Sequence, residues 1–241
     1  MHAALLALWS VFFQAGSSLD LSWQPDLDLP VQPAAYDPSA RPPRPPPRDE
    51  ADPRDEPLPV FYGEEIPSES PSLVYVLDFS GSMSHGSRLA AAKGEFRRSV
   101  SELPPVFRLN VVVYDCALLL WSTGAREATP ENKADAIQWV EGLYPAGGGT
   151  ATGPAVALAL AEKENLSVIL LTDGDPNCGA DFYAGHRSMI RDANTQGASI
   201  TVFGIDAWGD YRGFCQDVAA DSGGGYFDLV TIPPQAAEGD Y

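Results

Sequence analysis

The sequence predicts an α/β fold of three layers, in which helices cover both faces of a mostly parallel sheet. Three observations lead to this prediction. Apolar runs of strand length alternate along the chain with segments whose apolar residues recur every three or four positions. The first of these runs, residues 73–77, is apolar throughout, as is typical of a parallel strand that is buried on both faces. Hydrophobic residues make up 44% of the 241 residues, which is enough to bury a core of this kind.

The first strand is followed by a helix and then by two more strands. Ser87 is expected to cap the helix, and Pro104 and Pro105 end it. The inward face of this helix carries five apolar residues at helical spacing: Leu89, Ala92, Phe96, Val100 and Leu103. Residues 107–114 form the second strand, and a tight turn pairs residues 117–121 with it as an antiparallel strand.

The second half of the chain continues the same alternation. Thr129 and Pro130 begin a helix that presents Ile137, Val140 and Tyr144 to the core. The remaining elements are, in order, a glycine run at 147–149, a helix over 154–163, a strand over 166–171, a helix around His186, a strand over 199–204, a helix that Asp210 caps and Gly223 ends, and a strand over 226–230. Five strands are therefore predicted to be parallel and one antiparallel, which defines a doubly wound, Rossmann-like sheet.

The chain is strongly acidic, with 33 acidic residues against 15 Lys and Arg residues and a formal net charge of −18. This charge argues against nucleic acid or an anionic membrane surface as the main partner, because both would repel it. After the N-terminus no run is long and apolar enough to span a bilayer. We expect no membrane span in the mature chain, and we expect that chain to be a monomer.

Residues 1–17 are predicted to be a signal peptide. They combine an apolar run of suitable length, residues 3–13, with the small residues Ala15, Gly16 and Ser17, and cleavage is expected after Ser17. His2 stands where Lys or Arg is usual, so the alternatives are an apolar N-terminal strand or helix, or a misassigned start codon. With the leader the chain would be exported to the periplasm, the cell surface or the medium, and without it the chain would be cytoplasmic.

Residues 18–66 are predicted to be an acidic, disordered spacer. Twelve prolines lie between Leu21 and Val60, and proline at this density prevents both helices and sheet ladders. A ligand for a proline-binding module is the alternative interpretation. The folded domain is then expected over residues 67–232, and a short tail over residues 233–241.

Oxygen-bearing side chains lie at the ends of the predicted strands. Asp78, Ser80 and Ser82 alternate directly after the first strand, Thr150 follows the glycine run, and Asp173 follows the fourth strand. Because ligands of doubly wound sheets bind at the carboxyl ends of the strands, where the strand order reverses, we expect these side chains to meet. Two carboxylates and three hydroxyls form an all-oxygen set that suits Mg²⁺, Mn²⁺ or Ca²⁺. Helix capping is the alternative role.

This pattern resembles the metal-ion-dependent adhesion site of von Willebrand factor type A domains, and the order of the predicted elements is also similar to that family's. The resemblance implies that Ser80, Ser82 and Thr150 would ligate the metal directly, while Asp78 and Asp173 would act largely through water. It further implies that an Asp or Glu of a protein partner completes the coordination, and that the domain binds proteins and is not an enzyme.

Further residues near the strand ends have two interpretations each. His85, Asp115 and Asp175 are expected to be loop or turn residues, with a role at the metal site or towards a partner as the alternative. Asp206 is expected either to add negative potential at the rim or to cap the next helix. Three aromatic residues form either a partner surface or local packing: Trp208, Tyr211 and Tyr183.

The three cysteines allow one disulfide. Cys178 and Cys215 follow strands that are predicted to be neighbours, so in an exported chain they are candidates for pairing. Cys116, at the turn between the second and third strands, would then remain unpaired and half-buried.

Two other functions compete with a metal-dependent binding module in this exported and, from its composition, bacterial chain. Asp78 with a glycine-rich loop suggests phosphoryl transfer, but Ser80 stands where aspartate-nucleophile phosphatases carry a second acid, and the sequence has neither a P-loop nor a nucleophile elbow. The other alternative is an accessory subunit of an AAA-type ATPase in complex assembly or maturation, as in some bacterial relatives of the family; those partners are intracellular.

Overall fold

The computed structural model describes residues 57–68 and 70–230. The predicted leader, most of the predicted spacer and the predicted tail lie outside the described residues, so those three predictions stay predictions. Within the described part of the chain, no helix has the length and apolar character needed to cross a membrane.

Five strands of the central sheet run parallel to one another: β3 (Ser72–Asp78), β4 (Arg108–Tyr114), β7 (Ser167–Thr172), β8 (Ser199–Ile205) and β9 (Tyr226–Leu229). The predicted antiparallel strand is present as β5 (Leu118–Leu120), and the structure adds a second short one, β6 (Arg126–Glu127). The strands lie in the order β5-β4-β3-β7-β8-β9, and β6 also pairs with β4. The predicted fold class is therefore confirmed.

Helices cover both faces of this sheet. On one face lie α1 (Arg88–Glu102) and α2 (Pro130–Gly142), and on the other lie α3 (Thr152–Ala159), α4 (Phe182–Ala193) and α5 (Gly209–Ser222). Successive side chains of β3 point to opposite faces of the sheet, so each face needs a cover of helices. Tyr75 packs in the core under α1 and α2, whereas Val76 packs in the core under the other three helices. Both faces of the strand are buried, as its unbroken apolar run predicts.

Local signals account for several helix ends. The Thr129 hydroxyl accepts a hydrogen bond from the Asn132 backbone N–H at 3.2 Å, and Pro130 occupies the first turn of α2. Gly223 ends α5 with φ of +72°, a left-handed conformation that glycine adopts without strain. The Ser87 side chain makes no capping bond, although Ser87 does precede α1.

Some predicted boundaries and orientations are wrong. Tyr144 lies beyond the end of α2 and is 77% exposed, because α2 stops at Gly142 before its helical spacing can carry Tyr144 inward. The predicted helix over 154–163 instead spans Thr152–Ala159. Trp208, and not Asp210, precedes α5, and Asp210 lies in its first turn.

A β-hairpin precedes the sheet, where the sequence predicts spacer. β1 (Val60–Phe61) and β2 (Glu64–Glu65) pair antiparallel, and the chain then reaches Ile66. Phe61 and Ile66 are fully buried in the same core as α1 and α2. The folded domain therefore begins before the predicted boundary at residue 67, since its core is completed by these two side chains.

The predicted cysteine pairing is wrong. Cys116 and Cys178 form the disulfide, with their Cα atoms 5.7 Å apart, and Cys215 is free and buried. The reason is that Cys215 lies within α5 and faces the apolar core, whereas Cys116 and Cys178 lie in two loops at the carboxyl ends of β4 and β7.

The strand order places the loops that follow β3 and β7 at the point where the chain changes direction. β3 and β7 are neighbours, but the chain continues from β3 to β4 on one side and from β7 to β8 on the other. This reversal opens a crevice at the carboxyl ends of β3 and β7. Asp78 ends β3, and Asp173 follows β7 directly.

Candidate metal centre

Asp78 forms the floor of the crevice. Its side chain is fully buried, one carboxylate oxygen accepts the Ser80 backbone N–H at 2.8 Å, and the other accepts the Thr172 hydroxyl at 2.8 Å. Burial raises the pKa of the Asp78 carboxyl to about 6; the nearby Asp173 acts in the same direction, whereas the hydrogen bonds from Ser80 and Thr172 oppose it. A cation bound close by would favour the ionised form of such a carboxylate.

A chain of hydrogen bonds links the next three predicted ligands. The hydroxyl oxygens of Ser80 and Ser82 lie 3.0 Å apart, and the Ser82 hydroxyl donates to Asp173 Oδ1 at 2.6 Å. Ser80 and Asp173 are nearly inaccessible to solvent, whereas Ser82 is half-buried. Ser82 thus links the loop after β3 to Asp173, the residue that follows β7.

Thr150 reaches the same place from a different part of the chain. It precedes α3 and is 2% exposed. A Cβ atom added to Gly174 would lie 3.3 Å from the Ser82 hydroxyl oxygen and 3.4 Å from that of Thr150. Gly174 therefore leaves open the space between these two hydroxyls, which a larger residue would fill.

The structure thus brings all five predicted residues to one spot, and every donor among them is oxygen. Within residues 57–68 and 70–230, no group of three or more His, Cys, Asp or Glu side chains could hold a metal ion. A cation at this spot would therefore depend on hydroxyl oxygens together with Asp78 and Asp173. This donor set fits a hard divalent cation and not zinc or copper.

Arg88 also belongs to the centre, although it is not among the five predicted residues. It begins α1, its Nη1 donates to Asp173 Oδ2 at 2.8 Å, and its Nε and Nη2 donate to Asp206 Oδ2 at 3.2 and 2.7 Å. A cation in the first turn of a helix faces the positive end of the helix dipole, so these carboxylates compensate an unfavourable position. A basic residue directly after the predicted cap Ser87, close to the ligand motif, was the available signal.

The rim residues separate into structural and exposed groups. Asp115 shapes its turn by accepting the Ala117 N–H, and His85 is exposed, both as expected. Tyr211 is buried and donates to the Thr172 carbonyl at 2.6 Å, so it serves packing. Trp208 is 80% exposed beside an open groove of about 480 Å³ that Asp206 also lines.

Comparison with known proteins identifies the family. A family profile described as the von Willebrand factor type A domain matches residues 72–227, more than half of the chain. The chain is 28% identical over 176 residues to inter-alpha-trypsin inhibitor heavy chain 4 of Mus musculus. It is 29% identical over 177 residues to the uncharacterized protein YfbK of Escherichia coli (strain K12). These matches cover 68% and 72% of the chain but only 18% and 30% of the relatives.

Solved structures agree on the fold. A von Willebrand factor type A protein from Catenulispora acidiphila matches with a TM-score of 0.59 and 22% identity, over 66% of this chain and 38% of that one. The conserved hypothetical protein BatB from Bacteroides thetaiotaomicron matches with a TM-score of 0.53 and 22% identity, over 69% of this chain and 92% of that one. The chain belongs to the von Willebrand factor type A domain family.

Proposed function

We propose that this chain is a non-enzymatic protein-binding module whose contact with its partner depends on a divalent cation. Domains of this family are typically interaction modules that are not enzymes, and they commonly bind a divalent metal. The observation that carries the proposal is the convergence of the oxygens of Ser82, Thr150 and Asp173 beside the buried Asp78.

Each residue would contribute a different part of the centre. Ser80, Ser82 and Thr150 would offer hydroxyl oxygens to Mg²⁺, Mn²⁺ or Ca²⁺, and Asp78 and Asp173 would supply negative charge, largely through water. Neutral hydroxyls leave the bound cation with net positive charge, so that it attracts a carboxylate from outside. The partner would therefore offer an Asp or Glu to the metal.

The negative charge of the chain limits which charges the surface of such a partner can carry. Acidic residues outnumber Lys and Arg by 33 to 15, and Asp206 and Asp175 line the groove beside the centre. A partner surface rich in further acidic residues would be repelled. We therefore propose that the partner carboxylate stands alone within a neutral or basic surface.

The disulfide supports a location outside the cytoplasm. Cys116 and Cys178 form a disulfide, and structural disulfides persist mainly in oxidising compartments outside the cytoplasm. We therefore retain the exported location, with the proline-rich segment as a spacer that holds the domain away from its point of attachment. N-terminal sequencing of the mature protein tests this, since a start at Ser18 is expected.

Thr150→Val tests the metal centre directly, because it keeps the shape of the side chain and removes only the hydroxyl. Calorimetric titration of the wild type with Mg²⁺ or Mn²⁺ is expected to show one ion per chain, and the variant should bind about tenfold more weakly. Thr201→Val is the matched control, because the Thr201 hydroxyl lies in β8 and is buried without a hydrogen-bond partner among the residues that the structure describes. Equal affinities in the wild type and Thr150→Val would contradict the assignment of Thr150.

Arg88→Gln is expected to raise the affinity for Mg²⁺ by about tenfold. The Arg88 guanidinium carries a positive charge at Asp173 and occupies one of its oxygens, so its removal lessens repulsion of the cation and frees that oxygen. Arg97→Gln, which removes an exposed arginine of the same helix that pairs with Glu141, is the control. A lower affinity in Arg88→Gln would mean that the arginine chiefly orients Asp173.

A further inference from the structure

We propose that Asp115, Cys116, Asn177 and Cys178, in two loops joined by the Cys116–Cys178 disulfide, form a clamp that positions Thr150, so that the affinity of the metal centre depends on the oxidation state of the disulfide. The inference rests on the proposed function and adds to it a regulatory element. The two loops of the clamp follow β4 and β7.

The backbone around Thr150 is held by both loops. The Thr150 N–H donates to Asn177 Oδ1 at 2.9 Å, and the Asn177 N–H donates to the Thr150 carbonyl at 2.9 Å. On the other side, the Ala151 N–H donates to the Asp115 carbonyl at 2.9 Å. Thr150 is therefore fixed by residues from two loops that are separate in sequence.

The disulfide joins the residues that directly follow these two contacts. Cys116 follows Asp115, Cys178 follows Asn177, and the bond links positions 62 residues apart in the sequence. A Cβ atom added to Gly149 would lie 2.1 Å from Asn177 Oδ1 and 3.2 Å from Cys116 Sγ. The Thr150 segment thus runs in direct contact with both loops, and glycine is required for this approach.

Residues 147–150 have little intrinsic tendency to adopt the conformation that places Thr150 at the metal centre. Gly147, Gly148 and Gly149 precede Thr150, and Gly147 has φ of +82°. Glycine loses more conformational freedom on ordering than any other residue, so a free segment of this composition would sample many positions. The location of the Thr150 hydroxyl therefore depends on contacts from outside the segment: the clamp supplies those at Thr150 and Ala151, and the Gly81 N–H holds the Gly148 carbonyl at 3.0 Å. Ser82 and Asp173, by contrast, hold each other.

The disulfide can be reduced without a reaction at the third cysteine. Cys116 is exposed and Cys178 half-buried, so a dithiol can reach the bond. Reduction transfers two electrons and two protons from the dithiol, breaks the S–S bond, forms two thiols and leaves the reagent as its own disulfide. Cys215 is fully buried, and burial raises the pKa of its thiol to about 12, so it is unreactive.

Calorimetric titration with Mn²⁺ tests the clamp. The full chain is measured oxidised, and again after reduction with dithiothreitol and anaerobic removal of the reagent, with circular dichroism to show that it stays folded. Reduction is expected to weaken Mn²⁺ binding about tenfold. In Thr150→Val the same reduction should change the affinity by less than about twofold, because the disulfide acts through the Thr150 hydroxyl. An unchanged affinity in the reduced wild type, or an equal loss in Thr150→Val, would overturn the proposal.

Asn177→Ala provides a second test that leaves the disulfide intact. It removes the acceptor of the Thr150 N–H, and we expect Mn²⁺ binding to weaken several-fold while the melting temperature stays within a few degrees of the wild type. This variant decides the question even if the reduced chain unfolds, since wild-type affinity in Asn177→Ala overturns the clamp. Absence of Mn²⁺ binding by the oxidised wild type would instead overturn the proposed function, and with it the clamp.

Discussion

Asp78→Ala is expected to abolish binding of Mg²⁺ and Mn²⁺, with a loss of affinity of at least about a hundredfold. Asp78 supplies a buried negative charge, and its two oxygens hold the Ser80 N–H and the Thr172 hydroxyl. The substitution therefore removes charge from the centre and also releases the turn that carries Ser80. Asp173 also supplies charge and accepts the Ser82 hydroxyl, but Arg88 already pairs with its other oxygen, so the loss should be largest at Asp78.

The measurement is calorimetry, supported by thermal unfolding without Mg²⁺ and with Mg²⁺ at about a hundred times the Kd that calorimetry gives for the wild type. Ligand binding to the folded state raises the melting temperature of the wild type by mass action, and this rise should vanish in Asp78→Ala. Asp78→Asn keeps the volume without the charge and should behave likewise. Asp135→Ala is the matched control, because Asp135 is exposed on α2, pairs with Arg126 and is not one of the five predicted ligands. Metal binding that survives in both Asp78 variants would refute the centre.

Phe61→Ala is expected to destabilise the domain by about 3 to 5 kcal/mol, the usual range for truncating a buried aromatic residue. Phe61 is fully buried, and its ring centroid lies 5.0 Å from that of Phe203 and 5.8 Å from that of Tyr75. Since Tyr75 belongs to β3 and Phe203 to β8, the hairpin contacts two strands of the sheet that carries the metal centre. The substitution would leave a cavity at that contact.

Denaturant unfolding measures this change as a shift of the midpoint at constant slope. Leu58→Ala is the control, because Leu58 is 40% exposed and its truncation should cost less than about 1 kcal/mol. A loss of under 1 kcal/mol in Phe61→Ala would mean that the hairpin does not contribute to the core. With the expected result, a chain that begins at residue 67 should be markedly less stable than one that begins at residue 57.

The element order was predictable because its signals are local. Each signal depends on only a few neighbouring residues. Examples are the unbroken apolar run of β3, the helix cap at Thr129 and the helix end at Gly223. The candidate centre could be predicted for a related reason, since a parallel sheet brings the residues that follow its central strands to one edge. Asp78 and Asp173 meet by this rule, although they are far apart in sequence.

Contacts across long sequence separations were not predictable in this way. The sequence cannot show that the Phe61 hairpin packs against the sheet, because the prolines that precede it predict a spacer. The Phe61 ring is buried only because it contacts Tyr75 of β3 and Phe203 of β8. The pairing of Cys116 with Cys178 likewise depends on how two loops approach each other, and a cysteine count leaves all pairings open.

The sequence by itself determined the alternation of strands and helices, the mostly parallel sheet and the set of oxygen-bearing residues at its carboxyl edge, because periodicity, caps and turns are encoded within short segments. Only the tertiary structure decided how that edge is held. Arg88 reaches Asp173 and Asp206 across 85 and 118 residues, and the disulfide joins two loops around Thr150. Contacts of this kind arise when separate segments pack together, so they are properties of the packed sheet and not of any single segment.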